Sequence, residues 1–249
     1  MKITYIKENN KIITDSGYFF SKAIFETILI REKAVFLREH IDRLNKALIR
    51  IGVNQNIDMD AIENFIFTNQ LSFCALKLVV SEKNIIATTR EIMYNDKDYQ
   101  KGFNLLVSRV QRNTTSIFPY IKSTAYMENL IEREKALLDG YNDAMFLNEK
   151  NMVSECSTSN IFFVKDKKIF TPVISCGLLN GIIRNWIIKS YKVVEGEFKL
   201  DDLLSAQEVF ITNSLVGIMS VYKVNNKSYV ENMITKKIRE DYLKVLEDI

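Results

Sequence analysis

The stretch from Lys122 to Arg184 restricts the fold more than any other part of the chain. Residues 126–138 place Met127, Leu130, Ile131 and Leu138 on neighbouring helical faces, and Gly140 follows as a stop. Residues 144–147, 152–153, 161–164 and 168–170 are then short strand-like runs separated by tight turns, before a helix over 181–191. Two further strands are predicted at 208–212 and 218–224, and a closing helix at 232–246. Many short strands with few helices predict a barrel-like sheet and not a doubly wound one. No GxGxxG follows a strand, which argues against a dinucleotide fold.

The first half reads differently. Residues 3–6 and 11–14 suggest a hairpin around the polar turn 7–10, and 25–30 with 34–36 suggest a second pair across the charged turn 31–33. Leu37, Ile41, Leu44, Leu48 and Ile51 recur at three and four, so 37–51 is predicted helical, with Gly52 as its stop. A second helix is predicted at 58–70, carrying Ile62, Phe65 and Ile66 on one face. Strands follow at 75–80, 84–89 and 103–110. The chain is therefore predicted to be α+β with two domains: a small sheet-plus-two-helices domain over 1–112, a polar linker over 113–120, and a larger barrel-like domain over 121–249.

Composition narrows the function classes. Of the 249 residues 47% are hydrophobic and 26% charged, which is enough apolar content for a sizeable core. A formal charge of +3, dispersed along the chain, does not suit a nucleic-acid partner. No apolar run approaches the roughly 18 residues of a membrane span, and the charged N-terminus lacks the apolar core of a signal peptide. Cys74, Cys156 and Cys176 are scattered, with no CxxC, so a reducing cytoplasm is expected in place of a disulfide framework or zinc site. His40 is the one histidine, so any Ser-His-Asp triad would have to be built on it, and no metal site is expected.

Three groups in the central stretch carry chemistry. Lys122 stands at a break before an amphipathic helix. Glu155 follows about thirty residues on, in a Ser/Thr/Cys cluster between apolar runs. Asn180-Gly181-Ile182-Ile183 opens a helix whose first amides suit a phosphate. A Schiff-base lysine, a carboxylate for a pyridinium nitrogen and a phosphate cradle are what a pyridoxal phosphate site needs. The alternatives are a solvated lysine, an exposed turn acid and a plain helix start.

Order and spacing favour the first reading. Lys122-Ser-Thr-Ala-Tyr126-Met, Glu155-Cys-Ser-Thr-Ser-Asn160-Ile-Phe and Gly177-Leu-Leu-Asn-Gly181-Ile-Ile-Arg184 resemble the large-domain core of the class IV aminotransferases, the fold-type IV pyridoxal phosphate enzymes. The resemblance spans roughly residues 20–225. It implies pyridoxal 5'-phosphate as cofactor, a small-molecule substrate, and a homodimer whose active sites lie at the domain junction near the partner chain. It implies Lys122 as the Schiff-base lysine and general base, and Glu155 as the pyridine nitrogen partner.

Arg43, in His40-Ile-Asp-Arg43-Leu44, matches an arginine that binds the cofactor phosphate; an arginine snorkelling along Leu44 and Leu48 is the alternative. His40, one turn earlier, reads as structural. The main-chain amides of Ile182 and Ile183 and the hydroxyl of Ser214 are the implied phosphate contacts, Ser214 having a plain strand-turn serine as its alternative. Tyr126 is placed near the cofactor's 3-oxygen, with a core aromatic as the alternative. Arg109 and Arg112 are candidates to grip substrate carboxylates.

Two departures bear on substrate. Ser21-Lys-Ala-Ile-Phe25 lacks the family's glycines, and Ala125 stands where asparagine is common. Branched-chain aminotransferases carry an arginine four residues after the phenylalanine of Phe-Glu; here that position is Leu29. Thr212-Asn213-Ser214-Leu215, Cys156 and Leu179-Asn180-Gly181 look most like the aminodeoxychorismate lyases. The expected reaction is therefore 4-amino-4-deoxychorismate to 4-aminobenzoate and pyruvate, feeding folate synthesis. An amino-acid aminotransferase (branched-chain or D-amino acid) on the same site is the alternative, and a non-catalytic cofactor-binding protein a third reading that the Lys122–Glu155 pair disfavours.

Overall fold

The computed structural model describes residues 2–6 and 11–247. The chain divides into two compact units, one from the N-terminus to Met93 together with Ile121–Tyr126, the other from Tyr94–Tyr120 and Met127 onward.

The first unit holds β1 (Thr4–Tyr5), α1 (Ser16–Phe20), β2 (Ile24–Ile30), α2 (Leu37–Arg50), α3 (Met59–Thr68), β3 (Cys74–Val80) and β4 (Ile85–Arg90). Its sheet order is β1-β4-β3-β2. The helical stripe read from the sequence is the buried face of α2: Leu37, Ile41, Leu44 and Leu48 are all buried. Strand alternation sends Ile24, Glu26 and Ile28, each fully buried, to one face of β2. A carboxylate thus sits in an otherwise apolar row. α2 packs on this strand.

Three expectations are corrected here. β1 runs parallel to β4 (Thr4 beside Ile86, Tyr5 beside Ala87), so it is not half of a hairpin with 11–14. Tyr5 is held there by Thr89, at 2.8 Å, and by the Phe65 ring edge. Residues 11–14 form no strand; Ile13 bonds instead to the side chain of Asn84. The expected turn at 7–10 lies outside the described residues. Finally, 34–36 contributes only a bridge from Ala34 to Ile30, and the full partner of β2 is β3.

The second unit holds α4 (Asp96–Lys101), β5 (Phe103–Arg112), α5 (Met127–Leu138), β6 (Asp143–Asn148), β7 (Val153–Cys156), β8 (Asn160–Lys165), β9 (Lys168–Pro172), α6 (Ile182–Ser190), β10 (Val193–Gly196), α7 (Leu200–Leu204), β11 (Glu208–Asn213), β12 (Gly217–Val224), β13 (Lys227–Ser228) and α8 (Met233–Glu247). The sheet order is β10-β9-β8-β11-β12-β5-β6-β7, with β13 on β12. β5, read from the sequence with the first domain, is a strand of this larger sheet, parallel to both β6 and β12.

β7 ends the sheet order, yet a three-residue turn joins it to β8, and Cys156 N–H donates to Ser159 O at 2.7 Å. A sheet whose end strand must reach an interior strand has to curl, and this one is a half-barrel. One face carries Met145, Ile161, Phe163, Ile211 and Met219 in a single core. Phe162 and Phe210, paired across β8 and β11, stack at 4.9 Å, while α6 and α8 pack on β11. Burial on both faces explains why β8 and β11 read as unbroken apolar runs.

Candidate active site

In the first unit the site begins with residues 121–126, which are stitched to the start of β2. Phe25 N–H donates to Lys122 O at 2.8 Å, Thr124 N–H donates to Ala23 O at 2.9 Å, and Ser123 bridges Ile24. The Lys122 backbone is therefore held as if it belonged to a strand. Its ammonium nitrogen lies 4.6 Å from the Phe25 ring centroid and 5.8 Å from that of Tyr126. The two rings meet edge to face at 5.4 Å. Half-buried among aromatic carbon, this lysine is poorly solvated, the setting that a nucleophilic amine requires.

Next to Phe25, Glu26 points to the α2 face. Its carboxylate accepts from Arg43 Nε and Nη2, both at 2.7 Å, and pairs with His40 Nδ1 at 2.7 Å. His40 and Arg43 are one helical turn apart, so α2 presents both to one acceptor. Burial alone would push the Glu26 carboxyl up; Arg43 and His40 overcome it and bring it down to about 2. Burial pushes His40 down more than Glu26 raises it, with smaller depressing contributions from Arg43 and Lys122. At neutral pH the imidazole is therefore uncharged, Nδ1 carries the proton donated to Glu26, and the charge balance comes from Arg43. Sequence reasoning missed Glu26: its partners lie 14 and 17 residues away, and only strand alternation against the α2 stripe hints at them.

In the second unit Glu155 lies on β7 and is 7% exposed. Its Oε2 accepts from Leu179 N–H at 3.0 Å, and Oε1 is 3.5 Å from Arg112 Nη2. Arg112 is buried, donates through Nη1 to Glu128 Oε1 at 2.8 Å, and lies 3.7 Å over the Phe146 ring. It is thus committed to a carboxylate pair, while Arg109 is exposed. The turn after Glu155 is clamped by Asp143, which accepts from Ser157 and Thr158 and whose carboxyl burial pushes up.

Three side chains of β7 and β8 hold residues 177–181. Ser154 Oγ donates to Gly177 O at 2.7 Å, Glu155 accepts from Leu179 N–H, and Asn160 Nδ2 donates to Leu179 O at 2.8 Å. At Gly177, whose φ is +86°, a Cβ would meet the side chains of Thr114, Arg112 and Pro119. Gly181 is the N-cap of α6, and no side chain caps that end. The first amides of α6, including those of Ile182 and Ile183, thus have no intrahelical partner. Asn213 shapes the β11–β12 turn by accepting from Leu215 N–H and Val216 N–H, which displays Ser214. Thr212 pairs with Asn160 in the β8–β11 ladder, so the Ser214 turn and the start of α6 share one end of the sheet. The structure thus brings Glu155, Ile182, Ile183 and Ser214 to the second unit, and Lys122, Tyr126 and Arg43 to the first.

A family model for amino-transferase class IV matches residues 23–224. This chain belongs to the class IV aminotransferases. Members of this family are pyridoxal phosphate-dependent enzymes, lyases as well as transaminases, and pyridoxal phosphate is the cofactor here. The residues fit it: an unsaturated helix N-terminus, a buried carboxylate, and a buried Thr212 hydroxyl with no hydrogen-bond partner among the described residues. Among class IV relatives, the aminodeoxychorismate lyase of Bacillus subtilis (strain 168) is 26% identical, with 90% of this chain and 86% of the relative aligned. The D-alanine aminotransferase of Listeria monocytogenes serotype 1/2a is also 26% identical, covering 86% and 82%. The solved branched-chain aminotransferase of Thermoproteus uzoniensis with norvaline has a TM-score of 0.85 at 22% identity, covering 96% of this chain and 90% of that one, a likeness of fold. No helix among the described residues is long and apolar enough to cross a membrane.

Proposed function

We propose that this enzyme is a 4-amino-4-deoxychorismate lyase, forming 4-aminobenzoate and pyruvate. The observation that favours lyase over transaminase is Leu29. It occupies the position where branched-chain aminotransferases carry their carboxylate-binding arginine, and it is 5% exposed within β2, an apolar core position with no cation to offer.

When bound, pyridoxal phosphate supplies an electron sink for the carbon that carries the substrate nitrogen. Lys122 would be the amine that holds the cofactor, and the same amine would remove the proton from that ring carbon. Glu155 would hold a proton on the pyridine nitrogen, with Arg112 beside it to compensate its charge. The amides of Ile182 and Ile183 and the Ser214 hydroxyl would hold the phosphate, and Arg43 is the guanidinium that the family resemblance assigns to it. Tyr126 is the residue that the family resemblance assigns to the 3-oxygen. As the C–O bond to the enolpyruvyl group breaks, the electron pair left by the ring proton completes the aromatic ring. The departing enolpyruvate takes up one proton and becomes pyruvate.

The free thiols of Cys74, Cys156 and Cys176 support a cytoplasmic location, and the family resemblance implies a homodimer. The test is to incubate the purified enzyme and pyridoxal phosphate with 4-amino-4-deoxychorismate, without a keto acid, and to measure 4-aminobenzoate and pyruvate. Equimolar formation of both supports the lyase. Turnover only of amino acids with keto-acid acceptors makes the enzyme a transaminase and overturns the reading.

A further inference from the structure

We propose that Asn160 is a positioning residue for the phosphate end of the cofactor, acting by fixing the 179–181 turn from which α6 starts. The proposal rests on the cofactor reading above and concerns a side chain to which that reading gives no role. The Leu179 peptide is gripped from both sides: its N–H by Glu155 Oε2 at 3.0 Å, its carbonyl by Asn160 Nδ2 at 2.8 Å. Asn160 Oδ1 fills the space beside Gly181, where a Cβ would come within 1.9 Å of it. One amide side chain thus holds Leu179 and leaves the N-cap no side chain of its own.

The consequence reaches the cradle directly. α6 begins at the next residue, Ile182, without a side-chain cap, so the aim of its first amides follows the position of this turn. Thr212 lies directly opposite Asn160 in the β8–β11 ladder, is 1% exposed, and its hydroxyl has no hydrogen-bond partner among the described residues. An orphaned buried hydroxyl on the strand paired with Asn160, at the end of the sheet from which uncapped α6 starts, marks this end as built for an oxygen-rich group. Preorganised amides bind an anion well because their orientation is set before it arrives, and Asn160 sets it together with Glu155 from the other side of the Leu179 peptide.

The proposal is tested by comparing pyridoxal phosphate with pyridoxal, which has the same ring and no phosphate. Binding of each is followed by absorbance in wild type and Asn160→Ala. Asn160→Ala is expected to weaken pyridoxal phosphate about tenfold, as for one lost amide–carbonyl bond, and to leave pyridoxal unchanged. Gly181→Ala, which drives a methyl into Asn160 Oδ1, is expected to show the same selective loss. Its effect should shrink in the Asn160→Ala background, because the clashing atom is gone. Gly181→Ala also keeps the test open should Asn160→Ala fail to fold. Equal weakening of both ligands, or no weakening of either, means a structural asparagine and overturns the inference alone. A wild-type protein that binds neither ligand overturns the cofactor reading and the inference with it.

Discussion

Replacing Glu26 with alanine removes the acceptor that ties β2 to α2. Arg43 then loses two hydrogen bonds and His40 one, all at 2.7 Å around a carboxylate with no solvent exposure. Breaking a buried ion pair by removing one partner costs about 3–5 kcal/mol. Arg43 is 18% exposed and can turn partly to water, which favours the low end. An independent route agrees. A carboxyl that moves from 4.5 to about 2 on folding contributes about 3 kcal/mol at neutral pH. The shift is downward, so this stability is present above pH 4.5 and is lost as pH falls toward 2. By pH 3 about 2 of those 3 kcal/mol are gone. His40, also shifted down, adds a loss of the same sign that starts below its ordinary value of 6.5.

The assay is urea unfolding of wild type and Glu26→Ala at a series of pH values from 7 to 3, with Glu26→Gln, which keeps the volume, alongside. The gap between wild type and Glu26→Ala should be about 3 kcal/mol at pH 7, constant down to pH 5, and about 1 kcal/mol at pH 3. Glu26→Gln should fall between them. A gap below about 1 kcal/mol at pH 7, or one that does not narrow on acidification, would refute a buried ionised Glu26.

Other outcomes follow from the same geometry. Lys122→Ala should abolish the visible absorption band that pyridoxal phosphate gives with the wild type and lower turnover by about a thousandfold or more; persistence of the band would assign the attaching lysine elsewhere. Gly102→Ala should cost about 1–3 kcal/mol, because its φ is +71° and a Cβ would come within 2.8 Å of the Ser220 carbonyl oxygen; thermal unfolding measures it. Of the three thiols, half-buried Cys74 should react first with a disulfide reagent in the native state. Cys156 should stay unreactive, since burial, then Asp143 and Glu155, pushes its thiol well up; labelling followed by peptide mapping decides this.

Local pattern determined much of this protein. The apolar stripe from Leu37 to Leu48 is the buried face of α2, and the start of α5, the β6–β9 run and the helix after Gly181 were all legible because periodicity and turn chemistry act within a few residues. Lys122, Glu155 and the 177–184 segment are read as one chemical set through their order, spacing and resemblance to the class IV aminotransferases. Other features needed the folded chain. β1 lies against β4 and β5 against β6 and β12 because strand partners are chosen by shared cores and not by neighbours in sequence. β10, a four-residue Val-Val-Glu-Gly segment too short to stand out in the sequence, is a strand paired in parallel with β9. Glu26 is a counter-ion only once α2 lies across β2, and Arg112 is a partner of Glu155 only once β6 pairs with both β5 and β7. Asn160 meets Leu179 and Gly181 only when β8 and the loop before α6 are brought together. Sequence determines which groups are available; desolvation and hydrogen-bond geometry, which assign them their roles, exist only where distant segments pack.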